Sequence, residues 1–142
     1  MKSIVNEISR IKIYELKELI ENNEYKIYKE ESFNKNWDNK KKSKLIESLL
    51  LNIPIIEIKL NEYEYLRYEI IDGREIVKTM ISFLSGEFKL EGLEYLHELE
   101  GVDYNNLPEK NRKYLYLKDI RCIAMLDSNK EQTEEIFKRY NK

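Results

Sequence analysis

Hydrophobic positions along the chain recur with a helical period in some segments and alternate in others. Ile13, Leu16, Leu19 and Ile20 share one helical face, which predicts an amphipathic helix from Ile13 to about Glu21, ended by Asn22-Asn23. A short extended piece, "YKIY", is expected next. "EESFNKNW" has no period and reads as a loop, after which Asp38 is a fitting N-cap for a helix to about Leu51, with Leu45, Ile46, Leu49 and Leu50 as its apolar stripe. Pro54 closes that segment or begins the next. "IIEIKL" alternates as a strand does, "NEYEY" is expected to be its turn, and "LRYEII" reads as a second strand. So short a connection makes the pair antiparallel.

Behind Asp72-Gly73 the helical period returns at Ile76, Val77, Met80, Ile81 and Leu84, stopping at Ser85-Gly86. Phe88 to Leu90 is expected to be a brief strand. Pro108 suits the first turn of a helix through "EKNRKYLYL", "IRCIAML" is a further strand, and "EQTEEIFKRY" is a C-terminal helix carrying Ile136, Phe137 and Tyr140 on one side. Alternating helices and strands with at least one hairpin predict an α+β fold, a small mixed sheet with surrounding helices.

Composition narrows the function classes. With 142 residues, 42% hydrophobic and 37% charged, the chain has material for one domain spanning 1–142 with a core under a charged surface. Its net charge of −2 gives no broad positive field, so nucleic acid is a disfavoured partner. No segment reaches the roughly 18 apolar residues of a membrane span, and "MKSIVNEISR" lacks the apolar stretch of a signal peptide. A cytoplasmic protein is the expectation. Cys122, the single cysteine, lies in an apolar run as a buried structural thiol would.

Candidate chemistry is sparse. One His and one Cys leave mainly carboxylates for a metal, so no metal site is expected, and His97 among acidic residues reads as solvated or structurally hydrogen-bonded. The run Asn39 to Lys44 after Trp37 offers Lys40, Lys41 and Lys42 beside an indole, a candidate partner-binding surface whose bland reading is the solvated face of a helix. Tyr63, Tyr65 and Tyr68 are assigned to strand faces. The strand, Asp72-Gly73, helix unit has the layout of a phosphate turn: Gly73 lets backbone approach a ligand, and helix amides face it. Asp72 is then a candidate for metal or water, or a simple helix cap.

In order along the chain, "WDNKKKSKLIESLLLNIP", "IIDG", "FLSGEFKL", "NNLP" and "IFKRYN" resemble the N-terminal domain of GmrSD-type modification-dependent restriction enzymes, in the ParB/sulfiredoxin-like superfamily. The resemblance covers nearly the whole chain and implies that fold. In that family the turn typically reads DGQQR and serves nucleotide binding and hydrolysis linked to DNA cleavage. Here the same positions are Asp72, Gly73, Arg74, Glu75 and Ile76, so the glutamines and the arginine are replaced. A QR pair before the tryptophan aligns with Ser32 and Phe33. Arg74 sits two residues from Ile76, roughly 160° to 200° around a helix axis, which makes it a poor substitute for the missing arginine. Phe137, Arg139 and Asn141 match an F-x-R-x-N element, after which family members continue and this chain stops at Lys142.

The resemblance therefore implies a stand-alone domain whose site has lost its chemistry. The expected function is noncatalytic binding of a protein partner, as an inhibitor or regulator of a host defence nuclease of the anti-restriction or anti-CRISPR kind, with no cofactor. The alternative is a nucleotide hydrolase or DNA endonuclease using nucleotide with magnesium. In it Asp72, Arg74 and Arg139 are catalytic, and Gly73, Arg74 and Arg139 bind phosphate.

Overall fold

The computed structural model describes residues 1–28, 36–126 and 128–140, Tyr140 by its backbone alone. The chain forms two compact units, one from Met1–Phe33, Glu57–Arg74 and Asp119–Lys142, the other from Asn34–Ile56 and Glu75–Lys118.

The first unit holds the sheet. Among the described residues its strands are β1 (Val5–Lys12), β2 (Tyr25–Ile27), β3 (Ile58–Glu64), β4 (Arg67–Asp72) and β5 (Asp119–Leu126), in the order β1-β5-β3-β4-β2. β1 pairs antiparallel with β5 in unbroken register from Val5 opposite Leu126 to Lys12 opposite Asp119. β3 runs parallel to β5 and antiparallel to β4, and β2 runs parallel to β4. The fold is thus α+β with a mixed sheet.

Helix α1 (Ile13–Glu21) follows β1 directly and leads to β2 at the opposite edge of the sheet. Nine helical residues advance about 13.5 Å. Four strand spacings measure roughly 19 Å, and residues 22–24 supply the remainder. Ile13 and Leu16 anchor the helix in the core. β5 is apolar on both faces: Ile120, Cys122 and Ala124 are buried on one side, and Met125 on the other joins Ile71 and Phe137. Phe137 lies on α5 (Lys130–Tyr140), and Ile4, Tyr28 and Ile136 complete that cluster.

The second unit is helical: α2 (Asn39–Leu50), most of α3 (Arg74–Leu84), α4 (Glu109–Tyr116) and short 3-10 turns at His97–Leu99 and Tyr104–Asn106. Asp38 caps α2 by accepting the Lys41 N–H at 2.9 Å. Met80 and Phe83 of α3 are fully buried, and the Phe83 ring meets Phe88 and Tyr104 at centroid distances of 5.2 and 5.9 Å.

Four expectations need correction. β1 is an added strand; as an edge strand with Val5 and Ile8 exposed, it lacks the clean alternation that marks a half-buried one. "NEYEY" is mostly strand: β3 continues to Glu64, and the turn falls at Tyr65-Leu66, where Leu66 takes φ 59°. Tyr65 is consequently a turn residue, 86% exposed, and not on a strand face. Phe88 to Leu90 has no ladder; Leu90 instead exchanges backbone bonds with Val102 and Gly101.

Candidate functional site

β4 delivers Asp72 to the end of the hairpin, and the chain turns there through Gly73. That residue has φ 89°, and a Cβ on it would stand 2.5 Å from Ile58 Cδ1, so both conformation and space demand glycine. Asp72 is 4% exposed. Its Oδ2 accepts a hydrogen bond from Lys59 Nζ at 2.9 Å, Lys59 being its cross-strand partner in β3. The carboxylate is thereby neutralised from within the sheet, while Gly73 occupies the position directly before α3.

Arg74 opens α3 and makes its contacts within the first unit. Its Nη1 donates to the Tyr28 carbonyl at 2.8 Å, and its guanidinium lies 4.7 Å from the centroid of Phe137, whose ring also meets Tyr28 at 5.4 Å. A planar cation on an aromatic face is attracted by the ring quadrupole. The buried Nε of Arg74 has no hydrogen-bond partner among the described residues. Glu75 pairs with Lys78 at 3.1 Å, and Ile76 is buried.

The structure therefore brings together two pieces that lie far apart in sequence, the Asp72-Gly73-Arg74 turn and Phe137 of the C-terminal helix. Arg139 follows on α5, where its Nε donates to Glu135 Oε1 at 2.8 Å; that hydrogen bond holds the Glu135 carboxyl below the usual carboxylate range. A cavity of about 280 Å³ opens beside this helix, walled by Ile4, Ile123, Met125 and Ile136, with Lys59 and Arg139 at its polar margin. Lys59 was missed in the sequence. Its only signal was a cation within an alternating strand, and it meets Asp72 only once the hairpin register is known. Ser32, Phe33 and Asn141 lie outside the described residues.

The lysine run divides its side chains. Lys41 Nζ stands 4.9 Å from the Trp37 ring centroid, Lys42 Nζ stands 5.7 Å from that of Phe88, and the Lys40 stem lies along Gly92. Successive helical residues point about 100° apart, which explains the divergence. One face of the indole is therefore occupied by a lysine of the chain itself.

A polar stripe on the same helix, Asn39, Ser43 and Glu47, recurs every fourth residue and organises the loop that follows α3. Asn39 Nδ2 donates to the Lys89 carbonyl at 3.0 Å, and Ser43 Oγ accepts the Glu91 N–H at 3.0 Å. Buried Glu47 accepts N–H bonds from Glu94, Tyr95 and Leu96 at 3.2, 2.9 and 2.9 Å. Burial opposes its ionised form, but these amides and the charge of His97 outweigh it and hold the carboxyl below its ordinary range. His97 itself is exposed. Helical spacing of the three polar residues was visible in the sequence, masked by the lysines between them.

Among the described residues no group of three or more His, Cys, Asp or Glu side chains is placed to hold a metal ion, and no helix is long and apolar enough to cross a membrane. No protein-family model, curated protein or solved structure matches the chain.

Proposed function

We propose that this chain is a noncatalytic, cytoplasmic binding protein, a ParB/sulfiredoxin-like relative of the GmrSD N-terminal domain that acts by engaging a protein, and that it regulates or inhibits a defence nuclease. One observation supports this above others: the polar groups kept at the Asp72-Gly73 turn are bonded within the protein. Asp72 holds Lys59, and Arg74 holds the Tyr28 carbonyl and the Phe137 ring. A metal or phosphate would have to displace these bonds, in a site where an apolar Ile76 replaces an arginine. The test is calorimetric titration with ATP and GTP, in magnesium and then manganese. No saturable heat is expected, and saturable binding lost in Asp72→Ala would overturn the reading. Pull-down with purified candidate nucleases, compared with Trp37→Ala, then tests a partner surface at Trp37 with Lys40, Lys41 and Lys42.

The alternative, a nucleotide hydrolase or DNA nuclease, has one observation in its favour. Lys59 and Arg139 both border the cavity beside α5, and Lys59 also reaches Asp72. That reading requires magnesium-dependent hydrolysis or DNA nicking that Asp72→Ala and Arg139→Ala both abolish.

A further inference from the structure

A groove of about 760 Å³ in the helical unit lies between the end of α2 and the outer stripe of α4. The pattern of α4 sets its chemistry. Leu115 is fully buried, which turns Lys110, Lys113, Tyr114 and Leu117, spaced by three and four residues, outward along one side. Across from them Leu51 caps the C-terminus of α2, and Asn52 takes φ 57° as the chain reverses, with the Asn52 and Ile53 amides donating to the Leu49 and Ser48 carbonyls. Leu51, Tyr114 and Leu117 are left 38%, 41% and 51% exposed on one concave surface. Exposed apolar residues are ordinary when scattered; converging in a groove ringed by cations, they mark a place where something docks.

We propose that this groove binds an acidic, amphipathic peptide segment of a protein partner. Leu51 and Leu117 meet the apolar side of such a segment, and Tyr114 supplies an amphipathic contact of the kind enriched at interfaces. Carboxylates then meet the lysines at the margin. Lys118 is already positioned there: its Nζ donates to Asn52 Oδ1 at 2.7 Å and to the Tyr114 hydroxyl at 3.3 Å. Lys113 pairs with Glu109 at 3.0 Å, both side chains being largely exposed, so exchange for a partner carboxylate costs little. A nucleic acid fits less well, because a phosphodiester backbone gains nothing from burying Leu51 and Leu117. The proposal rests on the binding-protein reading.

The test is titration of 15N-labelled protein with a synthetic helical peptide of about four turns carrying Leu on one side and Glu on the other. Amide shifts are expected at residues 50–52 and 110–118, with affinity about tenfold weaker for Lys110→Glu and for Leu117→Ser. Both substitutions are on the surface, and circular dichroism checks that each variant is folded. Shifts confined to residues 37–42, no shifts, or a single-stranded oligonucleotide that displaces the peptide would each overturn the proposal. Nucleotide binding at Asp72 would instead sink the reading beneath it, so the two failures are distinguishable.

Discussion

Lys59 and Asp72 face each other across the β3–β4 hairpin, with Nζ 2.9 Å from Oδ2 and the two side chains 22% and 6% exposed. The register of β3 slips immediately after Lys59. One pair thus joins the irregular end of the hairpin to the turn that opens α3.

Removing only one partner of such a pair leaves a charge in a largely buried place. Lys59→Met should destabilise by about 3 kcal/mol, because the Asp72 carboxylate then lacks its counter-ion. Replacing both, as Lys59→Met with Asp72→Leu, should cost less than the sum of the single changes. Urea denaturation of the four proteins measures the coupling. Equal additive losses would show that the pair is not the constraint described.

Gly73→Ala should cost roughly 2 kcal/mol or more, from the left-handed backbone and from contact with Ile58 Cδ1. Ile58→Val removes that methyl. In its background the alanine substitution should cost less, although the conformational part remains. A penalty unchanged by Ile58→Val would place the strain in the backbone alone.

Arg74→Lys keeps the charge but loses the planar stack on Phe137 and the fixed geometry toward the Tyr28 carbonyl. A loss of about 1–2 kcal/mol is expected, and Arg74→Lys in a Phe137→Leu background should cost less. Thermal unfolding of the four proteins reads this. A fully retained melting temperature in Arg74→Lys would contradict a structural role for the guanidinium.

Glu47 gives the fold a pH dependence of definite sign. Its carboxyl is held below the ordinary carboxylate range in the folded protein, so the stabilisation is fully present above the unfolded-chain value and is lost as pH falls through the lower folded-state value. Glu47→Gln should cost about 2 kcal/mol at neutral pH, since one neutral amide replaces a carboxylate accepting three N–H bonds. The gap from the parent protein should narrow on acidification. Urea midpoints from pH 7 down to about 3 test this; a constant gap would refute the assignment.

Cys122 is fully buried, and burial pushes its thiol up to about 11. Thiolate is the reactive form, so labelling by a thiol reagent near neutral pH should be very slow in the native protein and fast in denaturant. Rapid native labelling would mean that β5 opens locally.

Local rules made much of the secondary structure legible. The spacing of Ile13, Leu16, Leu19 and Ile20 delimits α1 because an amphipathic helix needs one apolar stripe. Asp38 marks the start of α2 because its side chain answers an amide the helix leaves unpaired. The Asp-Gly break at residue 73 likewise locates a turn that other residues resist. β1 escaped because an edge strand with a solvated face needs no strict alternation. Phe88 to Leu90 misled because three residues of suitable type do not make a ladder without a neighbouring strand.

What the sequence determined by itself was therefore the α+β class, most helix boundaries and the Asp-Gly turn, all of which follow from spacing between near neighbours. Tertiary structure alone decided that Asp72 faces Lys59, that Arg74 rests on Phe137 and that Glu47 gathers the loop after α3. Each of those partners is more than ten residues away along the chain. Strand register and helix placement, which no local period encodes, bring them within bonding distance.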